Sequence, residues 1–190
     1  IQSRPSEMPP AGEIHNRKLI CLAGFMGSGK TTVGQLLARQ MGWHFVDLDT
    51  AIEERAGLNI PAIFERLGEP GFRELEHEAL LRTLGEAAGR QRPTVVALGG
   101  GTFAQPQSFA VLRSTGCAVI WLHCPVEDLL ARCAVITNRP LFRDEVSFRK
   151  LYEQRLPFYE QADYRVDGTA EPRRVVEQIL TMGHFEKVNA

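Results

Sequence analysis

Apolar residues fall along this chain in two alternating patterns. Short, nearly unbroken runs occur at Lys18–Ala23, Trp43–Asp49, Thr94–Leu98 and Cys117–His123, and Tyr164–Asp167 closes the series. Runs of this length without a polar alternate position are what strands covered on both faces show. Between them the spacing changes to three and four residues. Val33, Leu36, Leu37 and Met41 share one helical face, and shorter helical stretches follow at Thr50–Arg55 and Ile60–Leu67. A longer helix is expected from Gly71 or Phe72 to about Ala88, with Leu75, Ala79, Leu80 and Leu84 inward. Others are expected at about Gln107–Ser114, after Pro125, from Val146 to about Gln161, and from Pro172 with Val175, Val176 and Ile179 inside. Pro157 should kink the helix that begins at Val146, or end its first half.

Five strands alternating with helices predict an α/β fold, a three-layer arrangement with a five-stranded parallel sheet and helices on both faces. Residues 18–185 read as a single domain with no internal repeat or linker. Residues 1–17 hold three prolines and little periodicity, and read as a flexible tail. Periodicity also fails at about 135–145, a polar, turn-rich stretch around Asn138-Arg139-Pro140 that suits a lid.

The first strand runs into Gly24-Phe25-Met26-Gly27-Ser28-Gly29-Lys30-Thr31, followed by Thr32 and the first helix. This is G-x-x-x-x-G-K-[ST], a P-loop, in the strand–loop–helix order that the motif needs. Its glycines let backbone N–H groups approach phosphate oxygens, and the helix N-terminus adds partial positive charge. Lys30 can then reach the β/γ-phosphates and the Thr31 hydroxyl can ligate Mg²⁺. The chain is expected to bind a nucleoside triphosphate.

Composition narrows the setting without changing that reading. The 190 residues are 44% apolar and 24% charged, an ordinary globular balance, and the net charge of −1 supplies no field for nucleic acid or an anionic membrane. Cys21, Cys117, Cys124 and Cys133 form no C-x-x-C and read as buried free thiols of a reducing compartment. The five histidines have no metal-ligand spacing. With no apolar run near the length of a membrane span and no signal-peptide core at the N-terminus, the cytoplasm is the expected location.

In parallel α/β sheets ligands bind beyond the carboxyl ends of the strands, and the residues there carry the chemistry. The second run ends in Asp47-Leu48-Asp49. On a continuing strand both carboxylates would share a side, Asp47 serving Mg²⁺ and Asp49 an acceptor molecule. The third run ends in Gly99-Gly100-Gly101 without a Walker-B aspartate, which lets backbone approach a small ligand, with Gly100 as the middle contact. Arg73 stands three residues before Glu76, a spacing that also fits an ordinary helix-surface ion pair. Arg139 sits in the irregular stretch, where a lid arginine could meet transferring phosphate. No N-K-x-D guanine reader and no strand ending in Asp-Glu appears, which argues against a GTPase switch or an ATPase motor. A kinase of a small metabolite is left.

Taken together, the P-loop, Asp47-Leu48-Asp49, Phe72-Arg73-Glu74-Leu75-Glu76, Gly99-Gly100-Gly101, Asn138-Arg139-Pro140 and Arg155-Leu156-Pro157-Phe158-Tyr159 resemble the shikimate kinase family, in order and spacing, from about Leu19 to Leu180. The resemblance implies a P-loop NTPase fold of the nucleoside monophosphate kinase type, with a lid. It implies transfer of the γ-phosphoryl of ATP to the 3-hydroxyl of shikimate, on the route to chorismate and aromatic amino acids. By motif, Gly27, Ser28, Gly29, Lys30, Thr31, Thr32, Arg132 and Arg139 would hold ATP. Asp49, Arg73, Gly100 and Arg155 would hold shikimate, and Thr31 and Asp47 would serve Mg²⁺. Lys30, Asp49 and Arg139 would be the catalytic residues. Ala170 stands where several relatives carry an arginine against adenine. A monomer is implied. The alternatives are a kinase of another sugar acid, such as gluconate, and a nucleotide-binding regulator without catalysis.

Overall fold

The computed structural model describes residues 16–90, 92–134 and 144–182. The elements run β1 (Asn16–Ala23), α1 (Lys30–Met41), β2 (His44–Asp47), α2 (Leu48–Ala56), α3 (Ile60–Gly89) and β3 (Thr94–Ala97). A 3₁₀ turn at Thr102–Ala104 leads to α4 (Pro106–Ser114), β4 (Cys117–His123), α5 (Val126–Cys133), α6 (Glu145–Tyr159), β5 (Tyr164–Asp167) and α7 (Pro172–Thr181). The strands form one sheet in the order β2-β3-β1-β4-β5, every pair parallel. The expected fold class is the observed one.

The unbroken apolar runs have a direct cause. Along β1, Leu19, Cys21 and Ala23 face one side and pack with Leu48, Ile63, Phe72, Leu80, Leu129 and Phe148 from α2, α3, α5 and α6. Ile20 and Leu22 face the other side, against Val33, Leu37 and Met41 of α1 and Val175, Val176 and Ile179 of α7. β4 divides in the same way, with Cys117, Val119 and Trp121 opposite Ala118, Ile120 and Leu122. Successive side chains enter different cores, so both must be apolar. At about 1.5–3 kcal/mol for each fully buried aliphatic side chain, the two layers together hold the sheet. All four cysteines are buried free thiols, as the sequence suggests.

Several boundaries differ from the sequence reading. β1 starts at Asn16 rather than Lys18. The run at 43–49 is not one strand: β2 ends at Asp47, whose carboxylate caps α2 by accepting from the Thr50 N–H at 3.0 Å. A side chain that caps the following helix turns the backbone out of the strand, so Asp49 lies in the first helical turn. The two helical pieces expected at 60–67 and from 71 or 72 onward are both present within α3, separated by a kink at Gly68, whose φ of 66° and ψ of −177° are not helical. α6 contains Pro157 in its last turn and stops two residues later at Tyr159; proline there has no N–H to offer the Glu153 carbonyl one turn back. The segment 135–143, with Arg139 and most of the expected lid, lies outside the described residues, as do 1–15.

Candidate active site

The P-loop occupies the turn between β1 and α1 at the carboxyl edge of the sheet. Gly27 and Gly29 hold φ of 82° and 93°, a region that side chains avoid. At Gly29 the constraint is conformational only, since a Cβ there would meet nothing within 4 Å. α1 begins at Lys30, so its first N–H groups open on the loop, the arrangement that binds phosphate. Lys30 Nζ donates to the carbonyls of Gly24 (2.7 Å) and Phe25 (3.1 Å), which holds the ammonium over the loop. The Ser28 hydroxyl is buried with no hydrogen-bond partner among the described residues. Thr32 is exposed in the first turn of the same helix.

Thr31 Oγ1 donates to Asp47 Oδ2 at 2.5 Å, which brings together the two residues expected at Mg²⁺. Among the described residues no group of three or more His, Cys, Asp or Glu side chains could hold a metal. One carboxylate and one hydroxyl beside a phosphate cradle nevertheless fit Mg²⁺, which keeps waters and takes its other oxygens from substrate phosphates.

Asp49 departs from Asp47 because it belongs to α2. Its Oδ1 lies 2.9 Å from where a Cβ on Gly99 would stand, so only glycine allows the carboxylate this close to the end of β3. Asp49 lines a cavity of about 290 Å³ with Met26, Phe72, Arg73, Glu76, Gly99, Gly100, Gly101 and Arg155; Ile60, Pro61 and Phe64 of α3 lie at another wall. The P-loop and this cavity adjoin through Met26.

Two guanidiniums converge at the cavity wall. Nη2 of Arg73, from α3, and Nη2 of Arg155, from α6, each lie 2.7 Å from the position of a Cβ on Gly101. Arg155 is 5% exposed and sits over the Phe25 ring, 5.3 Å from its centroid. Burial holds its pKa below the usual arginine value; the neighbouring Arg73 charge acts in the same direction and Tyr159 opposes it. Arg73 pairs with Glu76 at 2.8 Å and approaches Glu69 at 3.6 Å. Glu76 is itself buried and also accepts from Thr102 Oγ1 at 2.9 Å. The helix-surface ion pair suggested by the spacing therefore exists, but it is a buried pair at the cavity. One internal carboxylate faces two cations, an arrangement suited to receiving a further carboxylate in paired, charge-assisted hydrogen bonds.

A family model described as shikimate kinase matches residues 26–183, most of the chain. The chain belongs to the shikimate kinase family. A shikimate kinase from Moorella thermoacetica is 45% identical over 150 residues, covering 78% of this chain and 83% of that protein. One from Synechococcus elongatus is 40% identical over 164 residues, with 84% and 83% covered. Among solved structures, the shikimate kinase of Acinetobacter baumannii in complex with shikimate aligns with a TM-score of 0.79 at 37% identity, over 86% of this chain and 91% of that one. A gluconokinase from Sinorhizobium meliloti aligns at TM-score 0.58 with 19% identity, a likeness of fold alone.

For this shikimate kinase family member the structure adds residues that sequence reasoning passed over. Gly101, rather than Gly100, is the glycine flanked by both guanidiniums, while a Cβ on Gly100 would stand 3.3 Å from the Met26 nitrogen of the P-loop. Glu76 holds Arg73, and Thr102 holds Glu76; the Arg73–Glu76 spacing signalled the first, and nothing in the sequence signalled the second. Arg132, at the end of α5, reaches the far side of the P-loop. Its Nη1 donates to the Gly27 carbonyl (3.1 Å) and its Nη2 to the Gly168 carbonyl (2.9 Å). That joins the phosphate loop to the turn before α7, where Ala170 lies. Lys30, Thr31, Asp47, Asp49, Gly100, Arg73, Arg132 and Arg155 thus all stand along one edge of the sheet; Arg139 lies outside the described residues.

Proposed function

We propose that this protein transfers the γ-phosphoryl of ATP to the 3-hydroxyl of shikimate, giving shikimate 3-phosphate and ADP on the route to aromatic amino acids. The observation that carries the reading is the adjacency of two sites with opposite chemistry. The phosphate loop borders the cavity at Met26, and the cavity carries both a carboxylate, Asp49, and a pair of arginines, Arg73 and Arg155. A small hydroxylated carboxylic acid whose carboxylate rests on Arg73 and Arg155 would present a hydroxyl to Asp49. In this reading Asp49 orients that hydroxyl, with or without taking its proton. Lys30 and Arg139 neutralise charge on the transferred group, so positioning and charge stabilisation carry the rate.

The P-loop residues Gly27 to Thr32 would bind the phosphates of ATP, and Arg132 would flank the adenine side. Thr31 and Asp47 would hold Mg²⁺, which when bound supplies charge neutralisation on the phosphates. Residues 18–185 are taken as one catalytic domain with its lid at about 135–145, acting as a monomer. Arg139→Ala should lower kcat more than it weakens shikimate binding.

The test is ADP release from Mg²⁺-ATP with shikimate or gluconate as acceptor. Shikimate-dependent turnover with none on gluconate is expected. Turnover on gluconate alone would transfer the site to another sugar acid, and no turnover on either would leave nucleotide binding without catalysis.

A further inference from the structure

The α6 helix brings more than Arg155 to the site. One turn after Arg155, Tyr159 is fully buried, 1% exposed, with its ring stacked on Trp121 of β4 at 5.9 Å between centroids. Its hydroxyl donates to the carbonyl of Gly100. The Arg155 guanidinium stands beside the same turn, its Nη1 3.5 Å from where a Cβ on Gly100 would be. One phenol O–H therefore holds the carbonyl of the glycine turn that the arginine faces. Apolar burial alone would be met by phenylalanine here. The hydroxyl makes its bond where Arg155 and Gly100 both line the acceptor cavity. Without that oxygen, the Gly100 carbonyl loses its side-chain donor. The turn could then shift, and with it the close fit of the Arg155 Nη2 beside Gly101.

We propose that Tyr159 is a positioning residue for the acceptor substrate: its hydroxyl, by holding the Gly100 carbonyl, fixes the Gly99–Gly101 turn beside which Arg155 stands, so that the carboxylate-binding fork is formed before substrate arrives. This rests on the reading of Arg73 and Arg155 as the shikimate carboxylate clamp. Preorganisation of this kind acts on binding of the group it faces, with little effect on a step elsewhere in the cavity.

The experiment compares wild type, Tyr159→Phe, Arg155→Ala and the double variant, each assayed well below its melting temperature. Tyr159→Phe keeps the ring on Trp121 and removes one oxygen. It should raise the shikimate KM about tenfold, with kcat within about twofold and the ATP KM unchanged. A direct binding measurement by isothermal titration with shikimate should give the same shift in Kd. In the Arg155→Ala background the Tyr159→Phe change should add less than about twofold, because the tyrosine acts through the arginine. A Tyr159→Phe protein that melts earlier but keeps its shikimate KM would reduce Tyr159 to core packing and overturn the proposal. Full additivity in the double variant would overturn it too. If Arg155→Ala leaves KM unchanged, the clamp reading itself fails and takes this inference with it. If Arg155→Ala raises KM and Tyr159→Phe does not, only the inference fails.

Discussion

Arg73 and Arg155 approach the same point from helices that are far apart in the chain: the Nη2 of each lies 2.7 Å from where a Cβ on Gly101 would be. Glycine at 101 is therefore a condition for the two guanidiniums to stand together. Gly101→Ala would force at least one of them away. The backbone there has φ −111°, which alanine adopts freely, so the effect should fall on the arginines rather than on folding. The expected outcome is a shikimate KM raised about tenfold or more, a loss of about 1.4 kcal/mol in binding, with the ATP KM unchanged. Steady-state kinetics with each substrate varied separately checks it.

Arg73 has two tasks that substitution can separate. Arg73→Ala should raise the shikimate KM and also destabilise the fold, because it leaves Glu76 buried with Thr102 as its remaining hydrogen-bond donor. Breaking a buried pair from one side costs about 3–5 kcal/mol. Arg73→Ala combined with Glu76→Gln should recover much of the stability and none of the shikimate affinity. Thermal melts beside KM measurements decide this, and recovery of both together would remove Arg73 from the clamp.

Asp49 lines the same cavity as the two arginines, beside Gly99 just past the end of β3. Asp49→Asn keeps the shape and removes the charge. A fall in kcat of about 10²–10⁴ is expected if the carboxylate orients and activates the hydroxyl. ATP binding should be retained. Near-normal turnover would take Asp49 out of the chemistry.

Asp47 joins a helix cap and a proposed metal contact in one side chain. Asp47→Asn can still accept from the Thr50 N–H, so the cap survives and stability should stay within about 0.5 kcal/mol of wild type. The Mg²⁺ concentration for half-maximal activity should rise severalfold. Asp47→Asn with unchanged Mg²⁺ dependence would leave Asp47 as a cap alone.

The Tyr159 phenol, pushed up to about 12 by burial, gives a pH signature. An unfolded tyrosine titrates near 10, so between about pH 10 and 12 the unfolded chain has lost a proton that the folded one still holds. Stability from this group is whole below pH 10 and declines as pH rises through that window, by on the order of 2–3 kcal/mol. Denaturant unfolding at pH 9 and pH 11 should show a smaller alkaline loss for Tyr159→Phe than for wild type. Equal losses would mean another group is responsible.

The linear sequence determined what depends on local chemistry. The P-loop needs its glycines, Lys30 and Thr31 contiguous, because one turn of backbone builds the whole cradle. The strands were legible because each is buried on both faces, which leaves no polar alternate position, and the helices because one face of each meets a core. Asp47, Asp49, Arg73 and Arg155 could be named as candidates from motif and spacing. Their relation to one another could not. Whether 43–49 was one strand turned on a cap formed by Asp47, which separates the metal side from the acceptor side. The exposed-looking Arg73–Glu76 pair proved buried because Glu76 packs inward against Thr102 in the 3₁₀ turn after β3, which no spacing along α3 shows. The focus of both arginines on Gly101, the tie from Tyr159 to Gly100 and the reach of Arg132 to Gly27 join residues distant along the chain. Such contacts exist only once parallel crossovers bring every strand's carboxyl end to one edge, and no spacing along the chain encodes them.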